Sequence, residues 1–186
     1  MKPNSKGFYA RHTARPDAGA VACRADTPVG IFTAIYLEGL IVRVLFPNED
    51  LSAAYDKFDD TLPFAEQMAQ YFAGNRKRFD LPLKISGTPF MQDVYRATLR
   101  IPYGRTASYA DVALAAGYPL AMRAAGTALK RTPLPILIPC HRVVHKTASR
   151  SAYRGGTGLK DVLLELESLH VNGADIIPAQ SGNNSP

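Results

Sequence analysis

Several things are scarce in this chain, and each scarcity narrows its chemistry. Only two cysteines, Cys23 and Cys140, occur in 186 residues. That is too few for a disulfide framework, so a reducing compartment is expected. There is no C-x-x-C pair. His141 and His145 have a spacing seen in zinc sites, but no cysteine pair stands upstream to complete a tetrahedral set, and no metal is expected. No apolar run approaches the ~20 residues that a membrane span needs. The basic opening residues have no continuous apolar core of the secretory type, so a cytoplasmic protein is expected. Acidic residues are outnumbered 16 to 22 by Lys and Arg, which leaves a net charge of +6 and a pI near 9.4. Such a balance favours polyanionic partners without naming one.

What is present reads as one ordinary domain or two small ones, with 46% hydrophobic residues for a core. Residues 1–27 are polar, basic and rich in Ala, Pro and Gly, and are expected as a flexible tail that includes Cys23. Residues 31–36 and 40–46 are strand-like runs joined by a short turn containing Gly39, a hairpin pattern. A helix is expected over 51–58 and a better one over 63–72, with Pro63 at its start and Gly74 as its stop. Residues 28–86 thus form a small α+β scaffold with no visible chemistry.

The character changes at Gly87. Thr88 and Pro89 are a helix start, and Ser108 can cap a second helix over 109–116. A third helix runs from about 120 to 130, so the pair makes a helix-turn-helix pattern. That third helix is bare, mostly Ala and Gly around a single Arg123. Base-edge readout in the major groove needs several polar side chains. A bare helix instead suits close packing in a core or close approach to the minor groove, and the lone arginine favours the groove.

The apolar run Ile136-Leu137-Ile138 carries the chain into the interior, Pro139 stops it, and Cys140-His141-Arg142 follow. Neighbouring cations favour the reactive thiolate, and the proline places the cysteine at a turn facing a cavity. Neighbours at i and i+1 do not face each other on a helix or a strand. Cys140 and His141 therefore form a dyad only if the backbone turns between them or a water bridges them. By residue type alone the pair also suits a cysteine hydrolase. A final helix is expected over 160–169, and the remaining residues, 172–186, as a disordered tail.

Together these motifs resemble one family, the O6-alkylguanine-DNA alkyltransferases, also called methylated-DNA–protein-cysteine methyltransferases. The resemblance runs from about Gly87 to Glu167. It comprises Thr88-Pro89-Phe90 with Gln92, Ile101-Pro102-Tyr103-Gly104, Ser108-Tyr109, Arg123-Ala124 with Gly126, Pro139-Cys140-His141-Arg142-Val143, Tyr153 with Gly155-Gly156, and Leu163-Leu164-Glu165-Leu166-Glu167.

The resemblance implies an α+β fold: a small N-terminal α/β domain with a β-hairpin, then a mainly helical C-terminal domain, 87–171, with a winged-helix-like helix-turn-helix. It implies a monomer that meets double-stranded DNA through the minor groove and flips out an O6-alkylguanine or O4-alkylthymine. The alkyl group passes irreversibly to the protein's own cysteine, with no cofactor. Cys140 is then the nucleophile, His141 the base acting through a water, Glu167 the carboxylate that orients it, and Tyr109 a donor that crowds the target phosphate. Arg123 is the finger that fills the vacated space, with Ala124, Gly126, Thr127 and Arg142 also on the DNA side. Val143, Tyr153, Arg154 and Gly155 form the base pocket. A nucleoid-associated protein is implied, or a nuclear one in a eukaryote.

The chain departs from the family pattern at Thr132, usually Asn, and at Tyr95, often Trp. It also lacks glycines over 146–151, and Arg154 stands where Ser is frequent. Two other readings, a lesion-recognition protein without transfer activity and a helix-turn-helix regulator, are disfavoured by the presence of Cys140 and by the bare helix respectively.

Overall fold

A computed structural model describes residues 19–49, 55–145 and 154–169. Three antiparallel strands come first: β1 (Val21–Ala25), β2 (Phe32–Leu37) and β3 (Leu40–Leu45), paired in that order. The β2–β3 turn places Glu38 at φ 52° and Gly39 at φ 78°. Two successive left-handed residues match the right-handed twist of the flanking strands, which is why glycine sits there.

The existence of β1 corrects the expectation of a tail over 1–27. Val21 pairs with Tyr36 and Ala25 with Phe32, and Cys23, Ala22 and Ala25 are buried. Small side chains give a strand little hydrophobic contrast, so β1 is specified by the edge it pairs with and not by its own pattern. Its other edge is held by residues 57–59: the Ala22 N–H donates to the Lys57 carbonyl, and the Asp59 N–H donates to that of Ala22, both at 2.9 Å. The helix expected over 51–58 is therefore absent from 55–58, where the chain instead bridges β1; residues 51–54 lie outside the described residues.

Helix α1 (Pro63–Phe72) packs on the sheet through Phe64, Gln67, Met68 and Tyr71, the i, i+3, i+4, i+7 face. Helix α2 (Pro89–Leu99) starts as expected, with Thr88 Oγ1 accepting from the Met91 N–H at 3.3 Å. Strand β4 (Ala107–Ser108) leads into α3 (Tyr109–Ala115), closed by a reciprocal capping box between Ser108 and Asp111. Helix α4 (Met122–Lys130) buries Ala125, Ala128 and Leu129 and leaves Met122, Arg123, Ala124, Thr127 and Lys130 exposed. Strand β5 (Val143–Val144) lies parallel to β4, and α5 (Thr157–Leu169) completes the described chain.

The apolar run before Cys140 is not extended. Ile136 has φ 69°, the Ile138 N–H donates back to the Leu134 carbonyl at 2.8 Å, and Pro135 bridges Ile138. A β-branched residue in the left-handed region costs about 1–3 kcal/mol and persists only where packing over-determines it. Leu134, Ile136 and Ile138 are all fully buried. The Val44 N–H of β3 donates to the Pro133 carbonyl at 2.8 Å, so this buried turn docks on the first sheet. Among the described residues the main buried cluster runs from Cys23 to Leu163, and a smaller one joins Ala20, Ala22, Ile35 and Leu45.

Ser108→Ala removes the hydroxyl that accepts from the Asp111 N–H, one half of the α3 capping box, and leaves the Ser108 N–H donating to the Asp111 carboxylate. It is expected to cost about 1 kcal/mol, read as a shift of the urea midpoint at unchanged slope.

Candidate active site around Cys140

After Pro139, residues Cys140–Arg142 form one turn of 3-10 helix. Three residues per turn send consecutive side chains about 120° apart. The adjacent side chains of Cys140 and His141 therefore leave the backbone in different directions. Cys140 lines a pocket with Phe46, Tyr109, Gly126, Leu129, Lys130, Thr132, Arg154 and Lys160, whereas His141 turns inward and is fully buried.

Behind the cysteine, Glu167 of α5 collects the polar groups. His141 Nε2 lies 2.8 Å from Glu167 Oε1. The Tyr71 hydroxyl donates to the same oxygen at 2.7 Å, and the Gly104 N–H donates to Oε2 at 3.0 Å. Arg142 donates through Nε at 2.9 Å to Oε2 and through Nη2 at 2.9 Å to Oε1, with its Nη1 on the Ile101 carbonyl at 2.7 Å. Burial alone would raise the Glu167 carboxyl; the hydrogen bond from His141, then the hydrogen bonds and charge of Arg142, hold it well below the usual carboxylate range. Burial is the largest influence on His141 and lowers its pKa below 6.5, against the pull of Glu167. Tyr71 is pushed up, by burial first and Glu167 second, so it remains a donor.

An ionised, fully engaged carboxylate accepts the Nε2–H hydrogen bond of a neutral His141 and leaves Nδ1 as the unprotonated nitrogen. Nδ1 is buried and has no hydrogen-bond partner among the described residues.

Arg142 is a correction. It was expected on the DNA side, but it is buried, and its guanidinium is committed to Glu167 and Ile101. A cation that neutralises a buried carboxylate cannot leave it for a phosphate without stranding that charge. The other residues expected on the DNA side are exposed or half-exposed on α4: Arg123, Ala124 and Thr127 lie on its outer face, and Gly126 faces the Tyr109 ring. A Cβ on Gly126 would sit 3.5 Å from Tyr109 Cδ1, an ordinary van der Waals contact, and Gly126 and Tyr109 both line the pocket.

Val143 is buried, and its carbonyl accepts from Lys160 Nζ at 2.7 Å. Burial lowers the Lys160 pKa. Gly155 packs where a Cβ would approach Phe46 Cδ1 to 2.7 Å. Tyr153 lies outside the described residues. Of the two histidines with zinc-like spacing, His141 is engaged by Glu167, and His145 lies against Tyr109, ring centroids 4.9 Å apart. The remaining thiol, Cys23, is buried in β1, and desolvation raises its pKa, so it stays protonated and unreactive.

Sequence reasoning missed Tyr71, Gly104, Phe46 and Lys160. Tyr71 stands 96 positions from Glu167 and reads as one more apolar-face aromatic. Lys160 carries a weak signal, sharing the i, i+3, i+7 face of α5 with buried Leu163 and Glu167.

In sequence and in fold the chain is similar to known proteins. Residues 89–169 match the family described as 6-O-methylguanine DNA methyltransferase, DNA binding domain. The chain is 43% identical over 154 residues to the constitutive methylated-DNA–protein-cysteine methyltransferase of Bacillus subtilis, an alignment spanning 78% of this chain and 93% of that protein. The crystal structure of the Mycobacterium tuberculosis O6-methylguanine methyltransferase superposes with a TM-score of 0.74 at 33% identity, covering 82% of this chain and 95% of that one. A M. tuberculosis structure in complex with DNA superposes equally well, at 35% identity over 81% of this chain and 94% of that one. By sequence over most of its length and by fold, this chain belongs to the methylated-DNA–protein-cysteine methyltransferase family.

Proposed function

We propose that this protein repairs DNA by direct reversal, moving the alkyl group of an O6-alkylguanine onto its own Cys140 in a single turnover. The observation that carries this reading is the juxtaposition of three features. Cys140 lines a pocket, a His141–Glu167 pair stands behind it, and an almost bare helix presenting Arg123 lies at its mouth.

The chemistry follows from that placement. The target carbon is inaccessible within the base stack, so the nucleotide must be extruded. Arg123, exposed on α4, fills the vacated space from the minor groove, whose negative potential favours an arginine. The Cys140 proton passes to His141 Nδ1 through a bridging water, and Glu167 stabilises the imidazolium that forms. The sulfur then attacks the alkyl carbon in line. A carbon–sulfur bond forms, the bond from that carbon to guanine O6 breaks, and its electron pair stays on the base. Donors near the base, with Tyr109 among them, stabilise this leaving anion. Nothing regenerates the thioether, so each molecule acts once. The protein acts as a monomer in the cytoplasm, associated with the nucleoid; among the described residues no helix is long and apolar enough to cross a membrane. O4-alkylthymine, with the same alkyl–oxygen linkage, is a second substrate.

Intact mass after incubation with a duplex containing one O6-methylguanine is expected to rise by a single methyl group, stoichiometrically, and to stay unchanged in Cys140→Ser. An unchanged wild-type mass with tight lesion binding would make the chain a recognition protein instead.

Because burial holds the His141 pKa below 6.5, the base is neutral at pH 7. The transfer rate is expected to hold its neutral-pH value down to about pH 6.5 and to fall only in more acid solution. Folding has the same sign: below pH 6.5 the unfolded chain binds a proton at His141 that the native state refuses, so stability drops with acid. Glu167 adds a second loss as the pH falls from its unfolded value towards about 2. Glu167→Gln is expected to slow transfer about 100-fold or more, to shift the pH profile, and to lower the melting temperature, because Arg142 is then left buried without its counter-charge.

Arg123→Ala is expected to reduce transfer from duplex DNA at least about tenfold, a cost on the scale of unstacking one base. Transfer from a single-stranded oligonucleotide should fall less, since that base is already exposed. Equal losses on both substrates would place Arg123 outside the flipping step.

A further inference from the structure

The first unit of the chain reads as scaffold in sequence, yet it supplies part of the pocket wall. Phe46, at the end of β3, lines the same pocket as Cys140. Arg154, on the far side of the active-site sequence, lies against it with its guanidinium carbon 4.9 Å from the Phe46 ring centroid. Its Nη1 donates to the Thr132 carbonyl at 3.0 Å. Its Nε lies 3.4 Å from Glu49 Oε1, a charge contact too loosely aligned to be a hydrogen bond. Both side chains of that pair are about four-fifths buried, with 18% and 19% exposed.

Glu49 is itself held. Its other oxygen, Oε2, accepts from the Phe46 N–H at 3.0 Å, and its own N–H donates to the Phe46 carbonyl at 2.9 Å. Next to Arg154, Gly155 fits against the Phe46 ring so closely that a Cβ would overlap it. The segment carrying Arg154 is thus seated on Phe46 and tethered by charge to Glu49.

We propose that Glu49 and Phe46 clamp Arg154 as the specificity-determining wall of the alkyl pocket, restricting it to small O6-alkyl groups. Two physical facts carry this. Arg154 is long and shares the pocket lining with the nucleophile, so its stem and fork occupy space that a bulky alkyl group would need. Its contacts come from two separate segments, residues 46–49 and Thr132, so it cannot swing aside without losing both the cation–π contact and the ion pair. In this scheme Arg154 meets the substrate, and Glu49 is a positioning residue that acts through it. The inference rests on alkyl transfer to Cys140.

The test is single-turnover transfer to Cys140 by the full chain from two duplexes, one with O6-methylguanine and one with O6-benzylguanine, followed by intact mass. The quantity read is the ratio of the benzyl to the methyl rate. Arg154→Ser is expected to raise that ratio about tenfold or more, the scale on which a pocket discriminates by size. Glu49→Gln, which leaves Arg154 in place but unclamped, is expected to raise it at least threefold. A purely structural role would lower both rates together and leave the ratio unmoved. The proposal is overturned if either variant keeps a ratio within twofold of wild type. Glu49→Gln is a conservative change at a partly exposed site, so the test survives a folding defect in Arg154→Ser. If the wild-type chain transfers no methyl group, the alkyl-transfer reading fails and takes this inference with it. Methyl transfer with unmoved ratios removes the inference alone.

Discussion

The buried carboxylate of Glu167 is the point on which the other parts converge. A charge taken out of water carries a desolvation penalty of several kcal/mol unless its surroundings answer it, and here four residues do so. Tyr71 comes from α1, Gly104 from the turn after α2, His141 and Arg142 from the 3-10 turn, and Glu167 itself from α5. One carboxylate therefore ties four separated stretches of chain together. Such a network is weak evidence for stability, since an apolar replacement of equal volume often does as well. Its consequence is chemical. Arg142 keeps Glu167 ionised even when His141 is neutral, and an ionised Glu167 dictates which imidazole nitrogen holds the proton.

The turn that carries the cysteine is shaped by constraint on both sides. Upstream, Ile136 is held in a left-handed conformation by complete burial and by the β3 contact at Pro133. Downstream, β5 pairs parallel to β4, so Val143 and Val144 lie beside Ala107 and Ser108. Between these anchors a single 3-10 turn separates neighbouring side chains: Cys140 to the pocket, His141 and Arg142 to the interior. The small residues of α4 do complementary work. Gly126 lies beside the Tyr109 ring at the pocket, and Ala124 leaves the outer face bare enough for Arg123 to stand as its longest side chain. The first unit then closes the arrangement, with Tyr71 behind the histidine and Phe46 at the pocket wall.

Local signals in the sequence were sufficient wherever a residue acts on its near neighbours. Thr88, Pro89 and Ser108 place their helix starts because a cap bonds within one turn. The 37–40 turn is legible because a tight hairpin needs left-handed residues. The ordered motif set from Gly87 to Glu167 singled out Cys140, His141 and Glu167 by resemblance, and the folded chain pairs His141 with Glu167 behind the pocket-lining Cys140. Cys140 is also suspect from its own context, a thiol between a proline and two basic residues.

Long-range compensation was decided only by the folded chain. β1 is too short and too small-sided to announce itself, and it forms because β2 offers an unpaired edge. Arg142 looks like a phosphate ligand in sequence, because nothing near it shows that a carboxylate 25 positions away will be buried beside it. Tyr71, Phe46 and Glu49 acquire their roles through contacts spanning about half the chain. A sequence determines directly what hydrogen-bond reach and helical or strand periodicity determine, within a few residues of each position. Which buried charge is answered by which distant donor depends on the packing of the whole core.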